Sequence, residues 1–272
     1  MSFLPFRKDG SPEESLSSSD GRGIALAFLL VAATVLAWLG VLRADSSMEM
    51  SRGAMGFSPG AMAAFTAQWG VMMAAMMLPS AAPMILLYRN ASRRGMQAAG
   101  RVIPAEVFAL TYLFAWLLTG IPVYAASVAV EQLAARSAFF AAAVPYGIAG
   151  SLIAAGAYQL SPVKHACLRE CESPVNFLMR RWRVGYAATL RLAAAHAAYC
   201  IGCCWALMLI LVVAGAMSLP WVLAIALVVF AEKVLPAGGR TARLVGVMLI
   251  LGGIAVAMRP ELAVALRPAG MG

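Results

Sequence analysis

Leu192-Ala-Ala-Ala-His196-Ala-Ala-Tyr-Cys200-Ile-Gly-Cys203-Cys204-Trp205-Ala-Leu-Met208-Leu-Ile-Leu-Val-Val-Ala-Gly-Ala-Met217 carries no formally charged side chain from end to end. A hydrocarbon core of ~30 Å is crossed by ~20 apolar residues in a helix, so this run is long enough to span a bilayer. Inside it lies an unusual cluster. With His196 at 0° on a helix, Cys200 falls near ~40°, Cys203 near about −20° and Cys204 near ~80°. Three thiols and an imidazole therefore share one narrow face of an apolar helix. Buried Cys often does no more than pack between helices. Three of them within five residues, beside an in-face His, point instead to a soft ion such as Cu(I) or Zn(II) and away from Ca(II) or Mg(II).

Working outward, the rest of the chain has the same character. Of 272 residues, 62% are hydrophobic and only 12% charged, against ~25% charged in soluble domains. The expected fold class is therefore all-α, a polytopic membrane helix bundle. Apolar runs at Ile24–Leu42, Ala63–Tyr88, Ile103–Val130, Val144–Leu160, Leu192–Met217, Leu219–Leu235 and Leu244–Met258 predict about seven spans. Residues 1–22 are polar and acidic, which predicts a disordered cytoplasmic tail. Residues 23–260 form the membrane domain and 261–272 a short C-terminal tail. The first run is too long for the ~7–15-residue core of a cleavable signal and is read as a retained helix.

The net charge of +9 does not imply nucleic acid, because the basic residues punctuate apolar runs in a topological pattern. With the N-terminus inside, sixteen Lys and Arg fall in inside segments, Lys164, Lys233 and the Arg180-Arg181-Trp182-Arg183 run among them. Five (Arg43, Arg52, Arg136, Arg259 and Arg267) fall outside. That split predicts an N-in, C-out topology.

Further sulfur lies elsewhere. Trp69-Gly-Val-Met72-Met73-Ala-Ala-Met76-Met77-Leu-Pro79-Ser80 is followed by Pro83-Met84. Met72 with Met76, and Met73 with Met77, are i,i+4 pairs. Two prolines would break the backbone ladder of that helix, and broken helices at membrane depth border cavities. Met is equally an ordinary filler of apolar cores. Met48-Glu49-Met50 and Met55 are expected in a loop outside the first helix, as a Cu(I) handover point. Cys167 and Cys171, with His165 near, are i,i+4 in a segment expected to expose its thiols to the cytoplasm as metal ligands or redox groups. Five Cys in this spacing make no secreted disulfide framework. Glu106 is expected at the start of the third helix. Gly147, Gly150 and Gly156 in the fourth, and Gly246, Gly252 and Gly253 in the seventh, are expected to allow close helix approach. At Glu232-Lys233, the lysine is expected to snorkel outward and the glutamate to face inward. No P-loop, dinucleotide fingerprint or H-E-x-x-H occurs, and two His residues are too few for a His-rich catalytic metal site.

Several blocks together resemble a bacterial family of predicted metal-binding membrane proteins, also called membrane copper chaperones of polyphenol oxidases. They are Trp69-x-x-Met72-x-x-Ala75-Met76-Met77-x-Pro79-Ser80; Ser161-Pro162-x-Lys164-x-x-Cys167-Leu168-x-x-Cys171-x-x-Pro174; and Cys200-x-Gly202-Cys203-Cys204-Trp205-x-Leu207-Met208. Gly215-x-Met217, Trp221 and Glu232-Lys233-x-x-Pro236 complete the pattern, which covers roughly residues 65–240. Around His196 the small residues are Ala where the pattern has Gly. The resemblance implies a multi-pass protein of the bacterial inner membrane that handles copper, with a copper oxidase outside that membrane as recipient. The chemistry of the residues gives the ligand set: Cys200, Cys203, Cys204 and His196 as the membrane site, Met72, Met73, Met76 and Met77 beside it, Met48, Met50 and Met55 outside, and Cys167 and Cys171 on the cytoplasmic side. Two other readings stay open: a thiol–disulfide oxidoreductase using Cys200 and Cys203 with a quinone, and a heavy-metal transporter.

Overall fold

A computed structural model describes residues 21–52, 58–99, 103–213, 219–235 and 238–265. These residues are all-helical: α1 Gly21–Arg52, α2 Pro59–Ala99, α3 Ala105–Arg136, α4 Ala138–Leu160, α5 Pro162–Glu172, α6 Pro174–Arg181, α7 Tyr186–Val213, α8 Leu219–Val234, α9 Gly238–Met258 and α10 Leu262–Ala265. Helices dominate because a chain in hydrocarbon must satisfy every backbone N–H and C=O within itself. Five helices hold segments long and apolar enough to cross a membrane: Gly23–Arg43, Pro59–Arg93, Ala105–Arg136, Tyr186–Val212 and Gly238–Met258. Their outward faces carry large apolar side chains such as Phe28, Leu36, Leu110, Phe114, Leu244 and Met248. Such a surface suits lipid and not water. The other two expected runs are helices as well, α4 with 23 residues and α8 with 16. At 1.5 Å per residue α8 is only ~24 Å long, short of a full ~30 Å core.

Neighbours in sequence pack as neighbours in space, α1 on α2 and α2 on α3, while α7 is held by α3, α4 and α5. The most extensive pairing joins α4 to α9. A Cβ added at Gly156 would lie 2.6 Å from the Gly246 carbonyl oxygen and 2.9 Å from the Ile250 nitrogen, so the two backbones touch. Gly246 and Gly253 are equally tight, as expected of small residues between membrane helices. Gly147, Gly150 and Gly252 face open space and do not serve this packing. Gly156→Val should therefore push α4 off α9 and lower stability by about 1–3 kcal/mol. Gly147→Val should leave it near wild type, both read by thermal unfolding in detergent.

Other expectations need correction. Helix α1 continues to Arg52, so Met48 and Met50 sit on helical backbone and not in a loop; Met55 lies outside the described residues. Residues 1–20 and 214–218 lie outside them too, but α8 begins at Leu219 with Pro220 in its first turn, where a missing N–H is harmless. Glu106 is in the first turn of α3 as expected. The segment after α4 is two short helices. Ser161 caps the first, accepting from the Lys164 amide at 3.2 Å, with Pro162 at its first position, and Pro174 opens the second.

Candidate metal centre

Helix α2 brings its sulfur inward. Met72, Met73, Met76, Met77 and Met84 are all buried. The helix runs on through Pro79 and Pro83, neither of which can donate a backbone hydrogen bond. Ser80 donates its hydroxyl to the Met77 carbonyl at 3.0 Å. Beside this stretch lies a cavity of about 160 Å³, lined by Ser80, Pro83 and Met84 from α2, Tyr112 from α3, Cys171 and Glu172 from α5, His196 and Cys200 from α7, and Lys233 from α8. The expected cavity is present, but the helix beside it is not broken: it continues through both prolines to Ala99.

On α7, Cys200, Cys203, Cys204 and His196 are all buried, so the face expected to carry chemistry points into the protein. The sulfurs do not converge on one point, however. Cys203 and Cys204 both turn back along the helix and donate to the Cys200 carbonyl, at 3.1 and 2.9 Å. Cys200 Sγ pairs with the Tyr112 hydroxyl at 2.9 Å and accepts from Lys233 Nζ at 2.8 Å. Among the described residues no three His, Cys, Asp or Glu side chains stand close enough to hold an ion as they are. Rotation of Cys203 or Cys204 about χ1, between staggered rotamers, would free their sulfurs.

His196 is boxed by Phe108, Tyr112 and Phe177, with ring centroids 6.0, 5.6 and 5.4 Å away. Its Nδ1 is buried without a hydrogen-bond partner among the described residues. An orphaned buried nitrogen is costly, and His196 lines the cavity together with two thiols.

Helix α5 closes the site from below. Its thiols are half-buried against α7 and not exposed, which corrects the expectation for them. Nor do they meet each other. Cys167 lies over Gly202, where an added Cβ would come within 3.0 Å of its Sγ. Cys171 Sγ is 4.0 Å from Cys203 Sγ. Burial pushes the Cys167 thiol up. It pushes His165 down, helped by the Arg243 and Lys164 charges. Glu172, at the cavity wall, is pushed up by burial and by the charge of Glu232. Burial also pushes Glu170 up, but hydrogen bonds from Arg180 and Arg181 outweigh it and hold the carboxyl below its usual range. Arg181 ties the layers together: it donates to Glu170 at 3.1 Å and to the Tyr199 hydroxyl at 2.8 Å, and lies over the Phe177 and Tyr199 rings.

The two lysines read as topology markers are in fact internal. Lys164 is fully buried and donates to Glu232 Oε2 at 2.6 Å, while Gln159 Nε2 donates to Glu232 Oε1 at 2.9 Å. Lys233 does not snorkel outward. It is 7% exposed and reaches the Cys200 thiol, with Met77 Sδ 3.7 Å away. Adjacent helix positions point ~100° apart, so Glu232 and Lys233 serve different neighbours although adjacent in sequence.

The structure thus brings Cys200, Cys171, Cys203, His196 and Met77 into one neighbourhood. Met72, Met73 and Met76 are core side chains that do not line the cavity, and Cys204 is turned to the helix backbone. Tyr112, Met84 and Lys233 belong to the neighbourhood and were not read as such from sequence. The Glu232-Lys233-x-x-Pro236 block was a signal for Lys233; nothing in the sequence singled out Tyr112. Residues 66–256 match the family model described as PpoB2, copper chaperone. Comparison with curated proteins and with solved structures finds no match.

Proposed function

The chain belongs to the PpoB2 copper chaperone family, and from that premise we propose that it carries Cu(I) within the membrane and passes it to an extracytoplasmic copper oxidase. The observation that carries this reading is the cavity lined by Cys171, Cys200 and His196, whose buried Nδ1 has no hydrogen-bond partner among the described residues. Two thiolates and an imidazole suit the low coordination number and softness of Cu(I). Cys203, 4.0 Å from Cys171, and Met77 are next in reach, so the ion can move by exchanging one ligand at a time. Cys204 and Cys167 are reserve thiols that a χ1 rotation admits. Met72, Met73 and Met76 serve as packing or as weak neighbouring stations, and Met48, Met50 and Met55 as the outer handover. The sequence carries no nucleotide motif, so either the affinity of the recipient or an ion gradient draws the ion outward.

In this reading the protein is a multi-pass inner-membrane protein, N-in and C-out. Helices α4 and α8 join the five long spans at membrane depth, a placement supported by their packing on α9 and α2. Setting aside the two buried lysines, the excess of basic residues in the inside segments still favours that orientation.

A dithiol enzyme is the second reading, and the 4.0 Å approach of Cys171 to Cys203 favours it for that pair. Cys200 with Cys203 is less suited, because Cys203 is directed to the Cys200 carbonyl. Anaerobic purification followed by metal analysis separates the two. The expected result is about one Cu(I) per chain, absent from a Cys171→Ser/Cys200→Ser variant. A metal-free protein whose thiols reduce a quinone analogue would overturn the chaperone reading.

A further inference from the structure

The hydrogen-bond acceptors facing the Lys233 ammonium among the described residues are both sulfurs, Cys200 Sγ at 2.8 Å and Met77 Sδ at 3.7 Å. The neighbouring Glu232 is engaged by Lys164 and Gln159 instead. A hard ammonium ion gains little from a thioether, and a buried cation normally seeks oxygen. The position it occupies, between a thiol and a thioether at the edge of a cavity, is one a soft monovalent cation would choose. We propose that the Lys233 ammonium is a resident cation that holds the Cu(I) position in the metal-free protein and competes with Cu(I) for it.

This inference rests on the copper reading of the site and deepens it. Ammonium and Cu(I) each carry one positive charge. Two like charges repel at this range, so the ammonium and the ion cannot share the Cys200 position, and one must displace the other. The cavity gives the side chain room to withdraw from Cys200, and Glu172 on the cavity wall offers it an oxygen partner. A chaperone has to release its ion. Three soft ligands in a dry pocket would hold Cu(I) tightly, and a tethered competitor at very high effective concentration weakens that hold. Lys233 is thus a positioning residue that tunes release. It is not a ligand.

The test is Cu(I) competition against a chromogenic chelator at fixed pH, with the full-length protein in detergent. Lys233→Leu removes the charge and adds no ligand atom; Lys233→Gln is the second variant, and gel filtration checks that each is folded. Removing a unit charge a few ångströms from the ion should tighten Cu(I) binding by about 10-fold or more, and slow its transfer to the chelator. In a Cys200→Ser background the same substitution should change affinity little, because the shared position is gone. A merely structural role for Lys233 predicts the opposite sign, since a disordered site binds more weakly. Unchanged or weaker binding in both folded variants overturns the inference while leaving the copper reading intact, provided the wild type loads. A wild type that takes up no Cu(I) sinks both.

Discussion

Lys164→Met should lower stability by about 3–5 kcal/mol, the loss typical when one partner of a buried ion pair is removed. The pair is as dry as a pair can be, with side-chain exposure of 0% for Lys164 and 2% for Glu232. Without the lysine, Glu232 keeps one hydrogen bond, from Gln159, and its charge is stranded where water cannot reach it. The pair itself adds little beyond what well-packed apolar side chains would, because desolvation of both ions offsets their attraction. Lys164→Met/Glu232→Leu should therefore recover most of the loss. Equilibrium unfolding in mixed detergent, run as a double-mutant cycle, checks this. A single variant within about 0.5 kcal/mol of wild type would mean that the pair does not hold α5 to α8.

Cys200→Ser should weaken Cu(I) binding by on the order of 100-fold or more. Losing a partner of a ligand already costs ~10–100-fold in many metal sites, and losing the soft ligand itself is worse. Cys200 is singled out by its surroundings: its thiol faces the cavity, Tyr112 and Lys233 fix it, and its carbonyl gathers the other two thiols. A graded series follows. Cys171→Ser should come next, because Cys171 shares the cavity. Cys203→Ser should be weaker still in its effect, and Cys204→Ser closest to wild type, because its thiol is turned to the helix backbone. Equal losses for all four would mean a cluster that forms only when the ion arrives, and Cys200 would then hold no special place among the thiols.

Much of the site was readable in advance. The 100° period of a helix is a local property, so His196, Cys200, Cys203 and Cys204 could be placed on one face from spacing alone, and that face is buried. The i,i+4 spacing of Cys167 and Cys171 suited the helical turn they occupy, though the two thiols meet different parts of α7 and not one another, and the two prolines of α2 pointed to the cavity beside them. What the period could not say is where each thiol hydrogen points. Cys203 and Cys204 use the Cys200 carbonyl of their own helix, a competition between backbone and side chain that spacing does not reveal. Lys164 and Lys233 were misplaced for a different reason. Topology rules treat every lysine at a helix end as a loop charge, yet Lys164 and Lys233 reach partners on other helices and lie inside.

The amino-acid pattern by itself determined that this chain is a set of apolar helices, which runs form them, and that its blocks belong to a copper-chaperone family. All of that is carried by composition and by residues within a few turns of one another. Only the tertiary structure decided that Glu232 answers Lys164, 68 positions away, and that Lys233 answers Cys200, 33 away, and Met77, 156 away. Such partners are chosen by which helix faces pack together, and in a bundle of near-uniformly apolar helices no hydrophobic stripe announces those faces beforehand.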